Sequence, residues 1–99
     1  MKFICIKENL ERAITIAERF TGKNISLPIL GNILLEVDET TLFVTATNLE
    51  YAINIKVAGR AEKSGRVSVP AKIISSLLQS TRSEKVFLEE KQNSLFIKT

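Results

Sequence analysis

The sequence predicts an α+β domain, with two helices packed on one face of antiparallel sheet. Three observations lead there. Residues 2–58 fit the order strand, helix, three strands, and residues 66–98 fit strand, helix, two strands. Two stretches place apolar residues at helical spacing. The other stretches alternate apolar and polar residues with the period of two that a half-buried strand requires. The chain thus divides into two halves of βαβββ type, with the last strand of the second half missing. A repeated unit points to a scaffold rather than to a pocket built around a reactive group. The missing strand leads to the expectation that the chain is a piece of something larger.

The first half opens with a strand at residues 2–7. A helix follows at 9–20, where Leu10, Ala13, Ile14, Ala17 and Phe20 share one face. Asn9 is the expected N-cap, because its side chain can accept a hydrogen bond from a free amide of the first turn. Gly22 stands where a helix stop is expected. Residues 21–28 form a loop in which Pro28 holds Leu27 extended. Strands are predicted at 32–37, 41–46 and 51–57, with Asp38-Glu39-Thr40 as a compact hairpin connection between the first two. Residues 58–65 have the composition of a mobile link.

The second half begins with a short strand at 66–69. Pro70 suits the first position of a helix, where a missing amide hydrogen is no loss. Ile73, Ile74, Leu77 and Leu78 form an apolar stripe along residues 71–80. Strands at 84–89 and 94–98 close the chain, joined by a turn at Gln92-Asn93. The helices then cover one side of the sheet and the other side meets water.

Composition narrows the chemistry. The 99 residues make one domain, and 44% hydrophobic content is enough for a packed core. The chain contains 14 basic and 11 acidic residues, a net charge of +3, so contact with a polyanion is permitted but not demanded. There is no histidine and one cysteine, Cys5. Serine–histidine and cysteine–histidine nucleophiles are excluded, as are histidine-containing zinc sites. Cys5 lies in an apolar strand and is expected as a buried, reduced thiol. Met1–Lys7 has neither the apolar length nor the cleavage site of a secretory leader, so a cytoplasmic protein is expected. Glu8 with Glu11, or Glu36 with Asp38 and Glu39, are the conceivable acid–base groups. Nothing near them supplies burial or a partner, so solvated surface carboxylates are the better reading. No catalytic residue, metal site or cofactor is expected.

The basic residues on or near the helices are Lys7, Arg12, Arg19, Lys23, Lys72 and Arg82. Helix faces and their loops can bring such cations to phosphates. Glu8, Glu11 and Glu18 lie on the same first helix, and charge alone favours a salt-bridged wet face over a DNA surface.

Four segments carry a resemblance to a known family. They are Met-Lys-Phe at 1–3, Ser-Leu-Pro-Ile-Leu-Gly-Asn-Ile-Leu-Leu at 26–35, Thr-Ala-Thr-Asn-Leu-Glu at 45–50 and Val-Ser-Val-Pro-Ala-Lys at 67–72. In order and spacing they resemble the first domain of the bacterial sliding clamp, the beta subunit of DNA polymerase III. The segments themselves are structural signals: a strand entry, a turn, a helix start.

The resemblance implies a non-enzymatic DNA clamp. Two subunits would form a ring around double-stranded DNA, with helices lining the hole, sheets outside, and sequence-independent contacts to phosphate. Polymerase III and the clamp loader would bind through later domains. A closing strand would follow Thr99 and help join the subunits, so the edge beside residues 94–98 would be open. The resemblance aligns a DNA-contacting basic position of the family with Asn24, a departure from the family's pattern, with Lys23 beside it. It also matches Lys72 and Arg12 to basic helix positions, while Arg19 and Arg82 are candidates by charge. The rival reading is a stand-alone protein-interaction module that uses the open sheet edge; a small enzyme is the third.

Overall fold

The computed structural model describes residues 1–21 and 31–99. The elements are β1 (Lys2–Ile6), α1 (Lys7–Glu18), β2 (Asn32–Val37), β3 (Leu42–Thr47), β4 (Ala52–Val57), β5 (Arg60–Lys63), β6 (Gly65–Pro70), α2 (Ala71–Ser80), β7 (Lys85–Lys91) and β8 (Ser94–Lys98). The α+β class, the two helices and the antiparallel pairing stand. The number of sheets differs. There are two four-stranded sheets, ordered β5-β1-β7-β8 and β4-β3-β2-β6.

The reason is an exchange of leading strands. β1 leaves its own half and pairs with β7, bringing Phe3 opposite Leu88 and Cys5 opposite Val86. β6 pairs in turn with β2, setting Val69 opposite Ile33 and Val67 opposite Leu35. Each sheet therefore contains strands from both halves, and neither half can complete a sheet alone. Local alternation reveals that a segment is a strand, but not which distant strand it joins.

The segment expected as a mobile link contains β5. It pairs with the second edge of β1, with Ala61 opposite Phe3. Its sequence, Arg-Ala-Glu-Lys, is charged, as suits an edge strand. Gly59 makes this approach possible. A β-carbon there would run into the Ile4 carbonyl oxygen and the Phe3 ring.

Helix α1 starts before the position that an Asn9 cap predicts. Ile6 occupies the N-cap with extended backbone and no side-chain cap. A tertiary contact substitutes, because the Lys7 amide donates to the Glu84 carbonyl at 2.8 Å. The Lys7 ammonium also meets Glu11 one turn on, at 2.7 Å. The helix ends at Glu18 rather than residue 20. The chain then turns through Arg19–Thr21 on amide bonds back to Ile16, Ala17 and Glu18. The expected stop at Gly22 and the extended Leu27-Pro28 lie outside the described residues. Pro70 closes β6 and serves as the N-cap residue of α2.

One core joins everything. The inward residues Leu10, Ile14, Leu35, Leu42, Leu78 and Leu88 are each almost wholly buried, together with Phe3. Burying a side chain of this size stabilises the fold by about 1.5–3 kcal/mol. In α2 the inward positions are Ala71, Ile74, Ser75 and Leu78. Ile73 and Leu77, predicted within the apolar stripe, are 67% and 45% exposed. The predicted stripe covers a wider arc of the helix than the contact made here, and only Ile74 and Leu78 are enclosed.

The hairpins are closed by short polar devices. The Asp38 carboxylate accepts the amides of Thr40 and Thr41 at 2.9 and 2.8 Å. These bonds hold its pKa below the usual carboxylate value. The Asn48 side chain does the same for Glu50 and Tyr51, accepting their amides at 3.0 and 2.8 Å. Gln92 and Asn93 both take left-handed backbone, φ 51° and 65°, as a two-residue turn between β7 and β8 requires.

Candidate nucleic-acid interface

α1 and α2 pack against each other, and α1 also lies along β3 and β4. Their outward sides thus point away from the core. On α1 and its C-cap the residues farthest from the buried face are Glu8, Arg12, Thr15 and Arg19, spaced i, i+4, i+7, i+11. Arg12 and Arg19 are exposed on this stripe, about 10 Å apart along the axis at helical rise. Lys7 is turned to the flank and occupied by Glu11.

On α2 the outward residues are Ile73, Ser76 and Ser80, with Lys72 to one side. No acidic residue lies between Ala71 and Ser80. Lys72 sits in the first turn, where the helix dipole disfavours a cation. Arg82 follows the helix as an exposed residue before β7. Among the described residues, Arg12, Arg19, Lys72 and Arg82 form no ion pair; the ion pairs involve Met1, Lys2, Lys7 and Lys91. Lys23 and Asn24 lie outside the described residues. The geometry therefore places Arg12 and Arg19 on one stripe, Lys72 at the start of the neighbouring helix and Arg82 beyond its end.

Of the carboxylates considered for catalysis, Glu8, Glu36 and Glu39 are exposed to solvent, and the others are engaged otherwise. Burial raises the pKa of the Cys5 thiol to about 11, so it stays protonated at neutral pH. Glu11 is paired with Lys7, and Asp38 holds a turn. Among the described residues no cluster of three histidine, cysteine or acidic side chains is placed to hold a metal ion. Sequence reasoning missed two things: the exposed Ile73 and Leu77, and the outward rings of Phe87 and Phe96, 47% and 48% exposed. The inward Val86 and Leu88 could have signalled Phe87, since neighbours in a strand face opposite ways.

Residues 1–99 match the family described as the DNA polymerase III beta subunit, N-terminal domain. The chain belongs to that family. A beta sliding clamp of Serratia marcescens is 38% identical over 73 residues, which are 73% of this chain and 94% of that relative. A beta sliding clamp of Synechocystis is 31% identical over 80 residues, 79% of this chain and 20% of that protein. The fold agrees as well. The Helicobacter pylori beta clamp bound to a DNA ligase peptide superposes with a TM-score of 0.93 at 26% identity, over 100% of this chain and 28% of that one. The beta subunit of Thermotoga maritima gives 0.92 at 26% identity, over 99% and 27%. The chain spans about a fifth of the length of several curated beta sliding clamps that it matches. Among the described residues no helix is long and apolar enough to cross a membrane.

Proposed function

We propose that residues 1–99 form one arc of a sliding clamp, a ring that encircles duplex DNA and keeps the replicative polymerase on its template. Membership of the beta-subunit family supports the reading. The observation that carries it is the outward stripe of α1, where Arg12 and Arg19 are exposed, without ion pairs among the described residues, and set apart from the core. Cations on a rigid helix face suit phosphate contact that ignores sequence. A ring needs little grip, because topology retains it and strong contacts would brake sliding. The task is non-catalytic, and it belongs in the cytoplasm with the chromosome. Lys72 and Arg82 add cations beside that stripe.

The ring is a homodimer, and polymerase and clamp loader engage parts outside residues 1–99. In the first half β4 covers the edge of β3. The second half has no counterpart of β4 beside β8 among the described residues. A further strand of the clamp covers that edge and helps join subunits. The half-buried Leu95 and Ile97 beside it favour a second reading, strand addition by a partner protein.

Binding of residues 1–99 to two unrelated duplexes over a range of salt separates these readings. The clamp predicts weak affinity, equal for both sequences, whose logarithm falls linearly with the logarithm of salt concentration. Salt-insensitive binding of a peptide strand with no duplex binding would favour the interaction module.

A further inference from the structure

We propose that the outer face of the β5-β1-β7-β8 sheet is a platform for single-stranded nucleic acid. It lies on the side of the domain away from the helix stripe and goes beyond the clamp reading. Val86 and Leu88 face the core, so Phe87 faces out; Leu95 and Ile97 lie toward the core, so Phe96 faces out. Phe87 pairs with Lys98 and Phe96 with Glu89. The two phenylalanines are therefore diagonal neighbours on adjacent strands, about 7–8 Å apart. Ile4, opposite Phe87 on β1, continues the row.

Cations rim the row. Lys85 and Lys98 are exposed and form no ion pair among the described residues. Lys91 reaches over the Phe96 ring at 5.8 Å from its centroid and also meets Glu89 at 3.5 Å. Lys2 meets the same carboxylate at 3.4 Å. Glu89 is thus balanced by two lysines, and Glu62 of β5 is the other carboxylate beside Phe87 and Lys98, so the described cations of the face outnumber its carboxylates.

This chemistry fits one class of ligand. Half-exposed rings on a flat sheet offer planar surfaces to unpaired bases, and the surrounding lysines offer charge to the phosphodiester chain. A duplex hides its base faces and gains nothing from the rings. The flat face has no groove for a helix, and an acidic peptide would leave the rings without a planar partner. On binding, a base takes the place of Lys91 over Phe96, and the ammonium turns to the backbone. The strands of the other sheet carry one ring and no neighbouring pair. Its outward Phe43 is only partly exposed and has Lys56 above it at 5.8 Å. Around it Asn54 bonds Thr45 and Asn32 bonds Ser68, at 2.7 and 3.2 Å.

The test is fluorescence anisotropy of residues 1–99 with labelled oligothymidylate of about 15 nucleotides, at about 50 mM salt. Saturable binding is expected. Phe87→Leu and Phe96→Leu keep an apolar side chain but remove the ring, and each should weaken binding about tenfold. The pair Lys85→Gln and Lys98→Gln should flatten the salt dependence. Arg12→Gln should leave single-strand affinity unchanged, and the sheet variants should leave duplex affinity unchanged, so the platform and the clamp reading fail separately. Circular dichroism confirms that each variant is folded. Absence of oligothymidylate binding, unchanged affinity in both leucine variants, or binding that requires Arg12 would overturn the platform. Tighter binding of an acidic peptide at the same rings would do so too.

Discussion

The two helices hold the same place in their halves and differ most on the side that leaves the core. α1 begins at Lys7 and α2 at Ala71. Counted from those starts, Leu10 corresponds to Ile74 and Ile14 to Leu78, and all four are buried. Arg12 corresponds to Ser76, and both are exposed. The inward pattern is thus largely apolar in both copies, while outward one copy presents arginine and the other serine and isoleucine. Packing sets the first pattern, since a polar group there would be buried without a partner. The second is free to follow what the outer surface meets. The sheets show the same split: similar apolar inner faces, one outer face carrying exposed rings and the other a polar ladder.

Matched core substitutions are the most severe way to break this correspondence. Ile14→Ala and Leu78→Ala should each lower stability in urea unfolding by about 2–5 kcal/mol. A loss below about 1 kcal/mol at either site would mean that the copies do not share one core. Gly59→Ala tests the tie that brings β5 onto β1. The new methyl group must displace the Ile4 carbonyl or the Phe3 ring, so a loss of about 1–3 kcal/mol is expected. An unchanged midpoint would show that β5 adjusts freely.

The outward difference is sharpened by charge removal. Arg12→Gln with Arg19→Gln should reduce the salt slope of duplex binding by about 2, and Lys72→Gln by about 1. Equal and negligible effects from all three would remove the helix surface from the interface. Ile73→Ser should change stability by no more than about 0.5 kcal/mol, because the side chain is mostly exposed. A large loss would place Ile73 against a neighbour. The smallest effect concerns Asp38. Its folded pKa is lowered by the Thr40 and Thr41 amides, so its contribution is present above the ordinary aspartate pKa. That contribution disappears as pH falls through the lowered value. The stability difference between the native protein and Asp38→Ala should therefore shrink on acidification, and a difference that grows would reverse the sign.

Much of the fold was legible in the sequence because it rests on local periodicity. The face of Leu10, Ala13, Ile14 and Ala17 was readable from spacing, and the Gln92-Asn93 turn from residue type. The exchange of β1 and β6 was not, since pairing between strands far apart in the chain leaves no local mark. β5 was hidden because a charged edge strand has the composition of a loop. The start of α1 was hidden because a carbonyl from Glu84 replaces a cap. For the candidate site, Arg12, Arg19 and Lys72 were visible as charges, but their exposure depends on which arc of each helix the core takes. Phe87 and Phe96 were readable as strand residues, while their diagonal neighbourhood required the register of β7 with β8.

The most direct measurement concerns topology. The full-length product of the gene encoding these residues would be loaded onto nicked circular duplex and its retention followed in high salt, before and after the circle is cut. An encircling ring predicts stable retention on the circle and rapid loss from the cut ends. Equal retention on circular and linear DNA would contradict the ring and leave direct gripping in its place.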